Sequence, residues 1–213
     1  MINKKNQDRV QWVYSSKNNS ELTQRYDEWA KDYDRDLSEF FGWIAPKTAS
    51  AYLAKYVHPN SIVLDAGAGT GLVGLALAEH GFQNLTAMDL SDGMLKEARD
   101  KNVYKKLDQM VLGEPLSYET DSFDAVISVG VMTLGHAGPE SFEELLRITK
   151  PQGHIVFTIR TDVYLKNGFK EKQEEMESKK LWEVVDVSDE FHPLPTGEPE
   201  VLHQVWVYRV LND

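Results

Sequence analysis

Apolar positions in this chain follow two different periods, and the change between them divides it. Residues 1–19 are polar and predict no firmly held element. From Ser20, a suitable N-cap, Leu22, Tyr26, Trp29, Tyr33 and Leu37 recur three or four apart, the spacing of one helical face. A second helix is expected over 47–56, behind Pro46. After residue 58 short apolar runs alternate with helical patterns. Strands are expected over 62–64, 85–88, 107–111, 123–129, 154–159, 182–187 and 204–210. Helices are expected over 72–80, stopped by Gly81, from Ser91 through Ala98, over 139–149 and over 167–180. Strands alternating with helices predict an α/β fold: a seven-stranded, mainly parallel sheet with helices on both faces. In such sheets ligands bind at the carboxyl ends of the strands, near the switch point.

Composition narrows the partners. The 213 residues suit one domain, and 41% hydrophobic residues can supply its core. A division is expected into a cap over 1–57 and a core over 58–213. Lys and Arg number 23 against 34 Asp and Glu, a net charge of −11 that disfavours nucleic acid and anionic lipid. The lack of cysteine removes disulfides, thiolate metal sites and a cysteine nucleophile, and no metal site is expected. The first residues have no apolar signal-peptide core and no apolar run suffices to span a bilayer, so the expected setting is cytoplasmic, without membrane.

The candidate chemistry lies in Asp65-Ala66-Gly67-Ala68-Gly69-Thr70-Gly71, between an expected strand and an expected helix. Glycines let backbone turn tightly and approach a ligand, and the helix start offers free N–H groups. Asp65 would repel a pyrophosphate but attract the ammonium of a methionine moiety. The spacing also departs from G-x-G-x-x-G, since residue 72 is Leu. Asp89 ends the next strand, where a carboxylate accepts from both ribose hydroxyls; it would equally suit the start of the helix at Ser91.

The segments DAGAGTG (65–71), MDLSDGML (88–95), DSFDAVISVGV (121–131) and RITKPQGHIVFTIR (147–160) resemble the class I methyltransferases. QRYDEWAKDYDRDL (24–37), with IAPKTA (44–49) behind it, is most similar to the methyltransferase-like family first noted in the Williams–Beuren syndrome region. The resemblance runs from about Arg9 to Arg160 and implies a Rossmann-like sheet with an N-terminal helical lid. It implies S-adenosylmethionine as cofactor and S-adenosylhomocysteine as product. Asp65, Gly67, Ala68, Gly69, Thr70 and Gly71 would surround the methionine part, Asp89 the ribose, and Leu90 and Met94 the adenine. Leu112 and Gly113 stand where many relatives carry an Asp for the adenine amine, and Val129 and Gly130 would border the sulfonium.

Tyr26, Trp29 and Tyr33 read either as core or as a lid over the cofactor, where aromatic faces attract a cation. Tyr33 and His136 are the candidate catalytic groups, with His192 near the same mouth. Arg160 could grip an anionic substrate or form an ordinary ion pair. The expected acceptor is a small molecule and the expected state a monomer. A protein acceptor docking on loop 188–202, and a regulator that only binds the cofactor, are the alternatives.

Overall fold

The computed structural model describes residues 4–211. Strands β1 (Ile62–Ala66), β2 (Asn84–Asp89), β3 (Lys106–Gln109), β4 (Phe123–Met132), β5 (Thr149–Arg160), β6 (Trp182–Val187) and β7 (His203–Val210) form one sheet. Its order is β3-β2-β1-β4-β5-β7-β6, and β7 alone runs against the other strands. Neighbours leave β1 in opposite directions, to β2 and to β4, so a crevice opens at the carboxyl end of β1.

Alternation of side chains along each strand builds a core on either face. Leu64, Val126, Phe157 and Tyr208 point to one face and pack with helices α6 (Ser141–Ile148) and α8 (Phe169–Ser178). Val63, Ala125, Val156 and Val207 point to the other and meet α3 (Ala45–Tyr56) and α4 (Leu72–Glu79). Helix α5 (Asp92–Asp100) joins that second face through Leu95, against Ala87. Ala45, Ala49 and Leu53 are wholly buried here, so α3 belongs to the layer covering the sheet.

The expected strands stand within a few residues of their bounds, but three local expectations are corrected. Residues 1–3 lie outside the described residues; from Lys4 the polar start forms helix α1 (Lys4–Tyr14). Its Val10 and Val13 are buried against α2 (Asn19–Asp36), a short apolar face that only tertiary packing makes useful. The N-cap of α2 is Asn18, whose Oδ1 accepts from Glu21 N at 2.9 Å, so Ser20 already lies inside the helix. Leu37 falls beyond α2, in a π-helical turn (Leu37–Phe41) closed by left-handed Gly42. The helix expected over 167–180 is α8, and an unforeseen helix, α7 (Thr161–Lys166), precedes it across Gly168, whose φ is +80°. No helix among the described residues is long and apolar enough to cross a membrane.

Candidate functional site

The glycine loop starts where β1 ends. Gly67 N and Ala68 N both donate to the Met88 carbonyl, at 2.8 and 2.9 Å, which pins the loop to β2. The three glycines of the loop all have positive φ, and their surroundings separate their roles. A Cβ on Gly67 would lie 2.3 Å from Val131 Cγ2, so that glycine admits a protein side chain. A Cβ on Gly69 would meet nothing within 4 Å, so that glycine faces open space.

That space is a cavity of about 350 Å³, within the usual range for small-ligand sites. Gly67, Gly69, Asp89, Leu90 and Met94 line one side of it. Leu112 and Gly113 line the segment after β3, Val129 and Gly130 the end of β4, and His136 the loop beyond. Tyr26 and Tyr33 reach it from α2, with Asn19 and Leu22. The residues from β4 are available because its pairing with β5 breaks between Ser128 and Met132. Within that break Gly130 has φ +75° and donates its N–H to Thr158 Oγ1 at 2.9 Å.

Seven of the candidate residues do not line this cavity. Trp29 is buried behind Tyr33, their ring centroids 4.8 Å apart, and donates Nε1–H to Asp36 at 3.0 Å. Ala68 and Thr70 line a smaller space of about 30 Å³, which shares Tyr33, Gly67, Gly69 and Val129 with the main cavity. Gly71 caps α4 and packs on Tyr104 and Ala98. Asp65 is buried beneath the loop, where its Oδ2 accepts from Tyr104 Oη at 2.5 Å and its Oδ1 has no partner among the described residues. His192 is exposed and off the cavity, and Arg160 is held by Asp162 at 2.6 Å.

Tyr104 is the structural residue that sequence reasoning passed over. Its hydroxyl bridges Asp65 and Gly74 N, the latter at 3.0 Å. A Cβ on Gly74 would lie 2.3 Å from Tyr104 Cζ, so the glycine inside α4 was the available signal that another group approaches there. The aspartates of α2 carry a second unforeseen set of contacts. Asp27 Oδ1 accepts from Ser91 Oγ at 2.6 Å and Gly93 N at 2.8 Å, at the positive start of α5. Asp34 bonds Thr70 Oγ1 in the glycine loop and Lys101 Nζ at 2.6 Å at the far end of α5. Together they fasten α2 across the cavity.

Electrostatics at the site follow burial. Desolvation pushes Asp65 up to about 7, against the lowering bond from Tyr104. Desolvation likewise pushes Asp89 up to about 6, although its carboxylate accepts from Ser91 N at 2.9 Å and Gly69 N at 2.8 Å. Burial lowers His136, keeping its ring neutral. Its Nδ1 lies 2.8 Å from the Leu134 carbonyl and must carry the proton, so Nε2 accepts from Tyr26 Oη at 2.7 Å. Burial raises the hydroxyls of Tyr26 and Tyr33, so both remain neutral phenols.

Comparison with known proteins gives the same assignment from another direction. A family model described as "Methyltransferase domain" matches residues 64–157, which hold the glycine loop, Asp89 and the break in β4. Human methyltransferase-like protein 27 is 35% identical over 165 residues, covering 74% of this chain; the match spans 66% of that relative's length, just under two thirds. Among solved structures, an S-adenosylmethionine-dependent methyltransferase from Mesorhizobium loti superposes with a TM-score of 0.57 at 18% identity, over 77% of this chain and 99% of that one. The [4+2]-cyclase SpnF superposes with a TM-score of 0.68 at 13% identity, over 93% of this chain and 98% of that one. These two likenesses concern the fold, which does not by itself fix a reaction.

The residues present suit S-adenosylmethionine. Two N–H groups occupy part of the Asp89 carboxylate, which has about four acceptor positions in all, leaving room for a diol. Gly69 leaves open space that a side chain would fill, and Leu90, Met94 and Leu112 supply an apolar slot suited to a flat base. With this fold, this cradle and these relatives, the chain belongs to the class I S-adenosylmethionine-dependent methyltransferases.

Proposed function

We propose that this protein transfers the methyl group of S-adenosylmethionine to a small-molecule acceptor. The observation that carries the reading is the roofed cavity: Gly69 opens into it, Asp89 borders it, and Tyr26 and Tyr33 of α2 close it from above. Asp89 holds the ribose, Leu90, Met94, Leu112 and Gly113 the base, and Gly67 and Gly69 the methionine part. Asp65 acts through Tyr104, fixing the glycine loop to α4. The bound cofactor supplies a carbon already activated for displacement, so the protein's work is alignment and exclusion of water.

Tyr33 and Tyr26 exclude water where Val129 and Gly130 border the cavity. The neutral His136 Nε2, reached through the Tyr26 hydroxyl, can take a proton from an acceptor that must lose one. A small acceptor suits a cavity roofed by α2, which Asp27 and Asp34 fasten over the site. The reading is tested by incubating the protein with methyl-deuterated cofactor and a cell extract, then resolving small-molecule and protein fractions by mass spectrometry. Label in the small-molecule fraction is expected. Label confined to proteins would make the acceptor a protein, and binding without any label would leave a regulator.

A further inference from the structure

A second cavity adjoins the first. It measures about 40 Å³ and shares Tyr26, Tyr33 and Gly130 with the larger one. Tyr14, Trp29 and Trp43 add three more aromatic walls, with aliphatic residues completing it and no charged side chain among the described residues that line it. Gly130 keeps the junction open, since a Cβ there would lie 3.0 Å from the Trp43 ring. At roughly 10–15 Å³ for each water-sized occupant, the space accepts about three or four heavy atoms.

We propose that this cavity receives the reactive end of the methyl acceptor, and that this end is a small aliphatic amine. The inference rests on the reading of the larger cavity as the cofactor site. An aromatic box favours a cation, because each ring presents a negative face. Two of the rings are polarised further in that sense. Trp29 donates its indole N–H to the buried Asp36 carboxylate at 3.0 Å, and Tyr26 donates its hydroxyl to His136 at 2.7 Å. An anionic acceptor finds no partner among the described residues of the box. Arg160 lies beyond Tyr14 with Asp162 bound to its guanidinium, and Glu198 adds a second carboxylate to that corner. One Glu198 oxygen accepts from Gln11, and the other is buried with no partner among the described residues.

The chemistry balances. The ammonium gives one proton to the Tyr26 oxygen as Tyr26 passes its own to His136 Nε2. The freed nitrogen lone pair forms the N–C bond while the methyl C–S bond breaks, its electron pair staying on sulfur. The nitrogen regains its positive charge, and the product is again a cation in an aromatic box.

The test uses three probes of four heavy atoms each: isopropylammonium, isopropanol and acetate. Each is titrated into protein already saturated with S-adenosylhomocysteine and followed by indole fluorescence. Isopropylammonium is expected to bind about tenfold more tightly than isopropanol, with acetate weakest. That preference should shrink towards parity in Trp29→Leu or, should that variant not fold, in Tyr14→Leu. Equal or tighter binding of isopropanol or acetate to the loaded protein would overturn this inference alone. Failure of S-adenosylhomocysteine to bind, read before any probe is added, would overturn the cofactor reading and this inference with it.

Discussion

Asp89 and Gly69 face the same cavity but make opposite demands on it. Asp89 supplies acceptor oxygens, and its loss removes charge-assisted bonds worth ~1.5–3 kcal/mol. Asp89→Ala should therefore weaken S-adenosylmethionine binding by about tenfold to ~150-fold, measured calorimetrically. Gly69 supplies an absence: nothing of the protein lies within 4 Å of where its Cβ would be. Gly69→Ala should reduce affinity while the thermal midpoint falls only slightly, the backbone strain at φ +53° costing on the order of 1 kcal/mol. Gly67→Val is a poorer probe, because its side chain would strike Val131 and disturb the fold. The raised carboxyls give a pH dependence of definite sign. Asp65 and Asp89, pushed up to about 7 and about 6, hold protons more tightly folded than unfolded. Their contribution to stability is complete below the ordinary carboxyl value and is lost as pH rises through about 6 and about 7. Thermal melts of the ligand-free protein should thus lose midpoint temperature over that window, and Asp65→Asn should flatten the loss. The glycines and the acid were legible in the sequence because their spacing is local. Tyr104 was not, because it reaches Asp65 from the loop before β3, a contact that only the closed sheet creates.

The elements divide into those that make the core and those that hold the cavity shut. Phe142 of α6 is wholly buried and packs on Phe157, Phe169 and Trp182, with ring centroids 4.9–5.7 Å away. Phe142→Ala should cost ~3–5 kcal/mol in denaturant unfolding. Helix α2 is different: polar bonds at Asp27 and Asp34 fasten it to α5 and the glycine loop. Asp27→Ala should speed cofactor release several-fold in stopped-flow experiments with little change in unfolding midpoint; an unchanged release rate would show that the helix is held by packing alone. The strands were legible because β1, β4 and β5 are buried on both faces, so each carries a near-continuous apolar run. Helices α1 and α7 were not: α1 carries few apolar positions, and α7 is a six-residue continuation of β5. The break in β4 also escaped prediction, because an apolar run reads alike whether its hydrogen bonds are regular or interrupted.

At the scale of the whole molecule, a seven-stranded sheet with one reversed strand brings the ends of β1, β2 and β4 to a single crevice. The alternation of strands and helices made that arrangement legible, and the glycine loop marked which end of the sheet binds. The acceptor is less legible, because its box is assembled from α1, α2, the π-helical turn, Gly130 and loop 188–202, which lie far apart in sequence. The net charge of −11 agrees with an amine as the incoming group and would steer cations towards the surface. The central claim, that the large cavity binds S-adenosylmethionine, is tested most directly by calorimetric titration of the purified protein. Saturable one-to-one binding of S-adenosylmethionine and S-adenosylhomocysteine, with none of NADH, is the result predicted. No binding of either, or binding of NADH in their place, would contradict it.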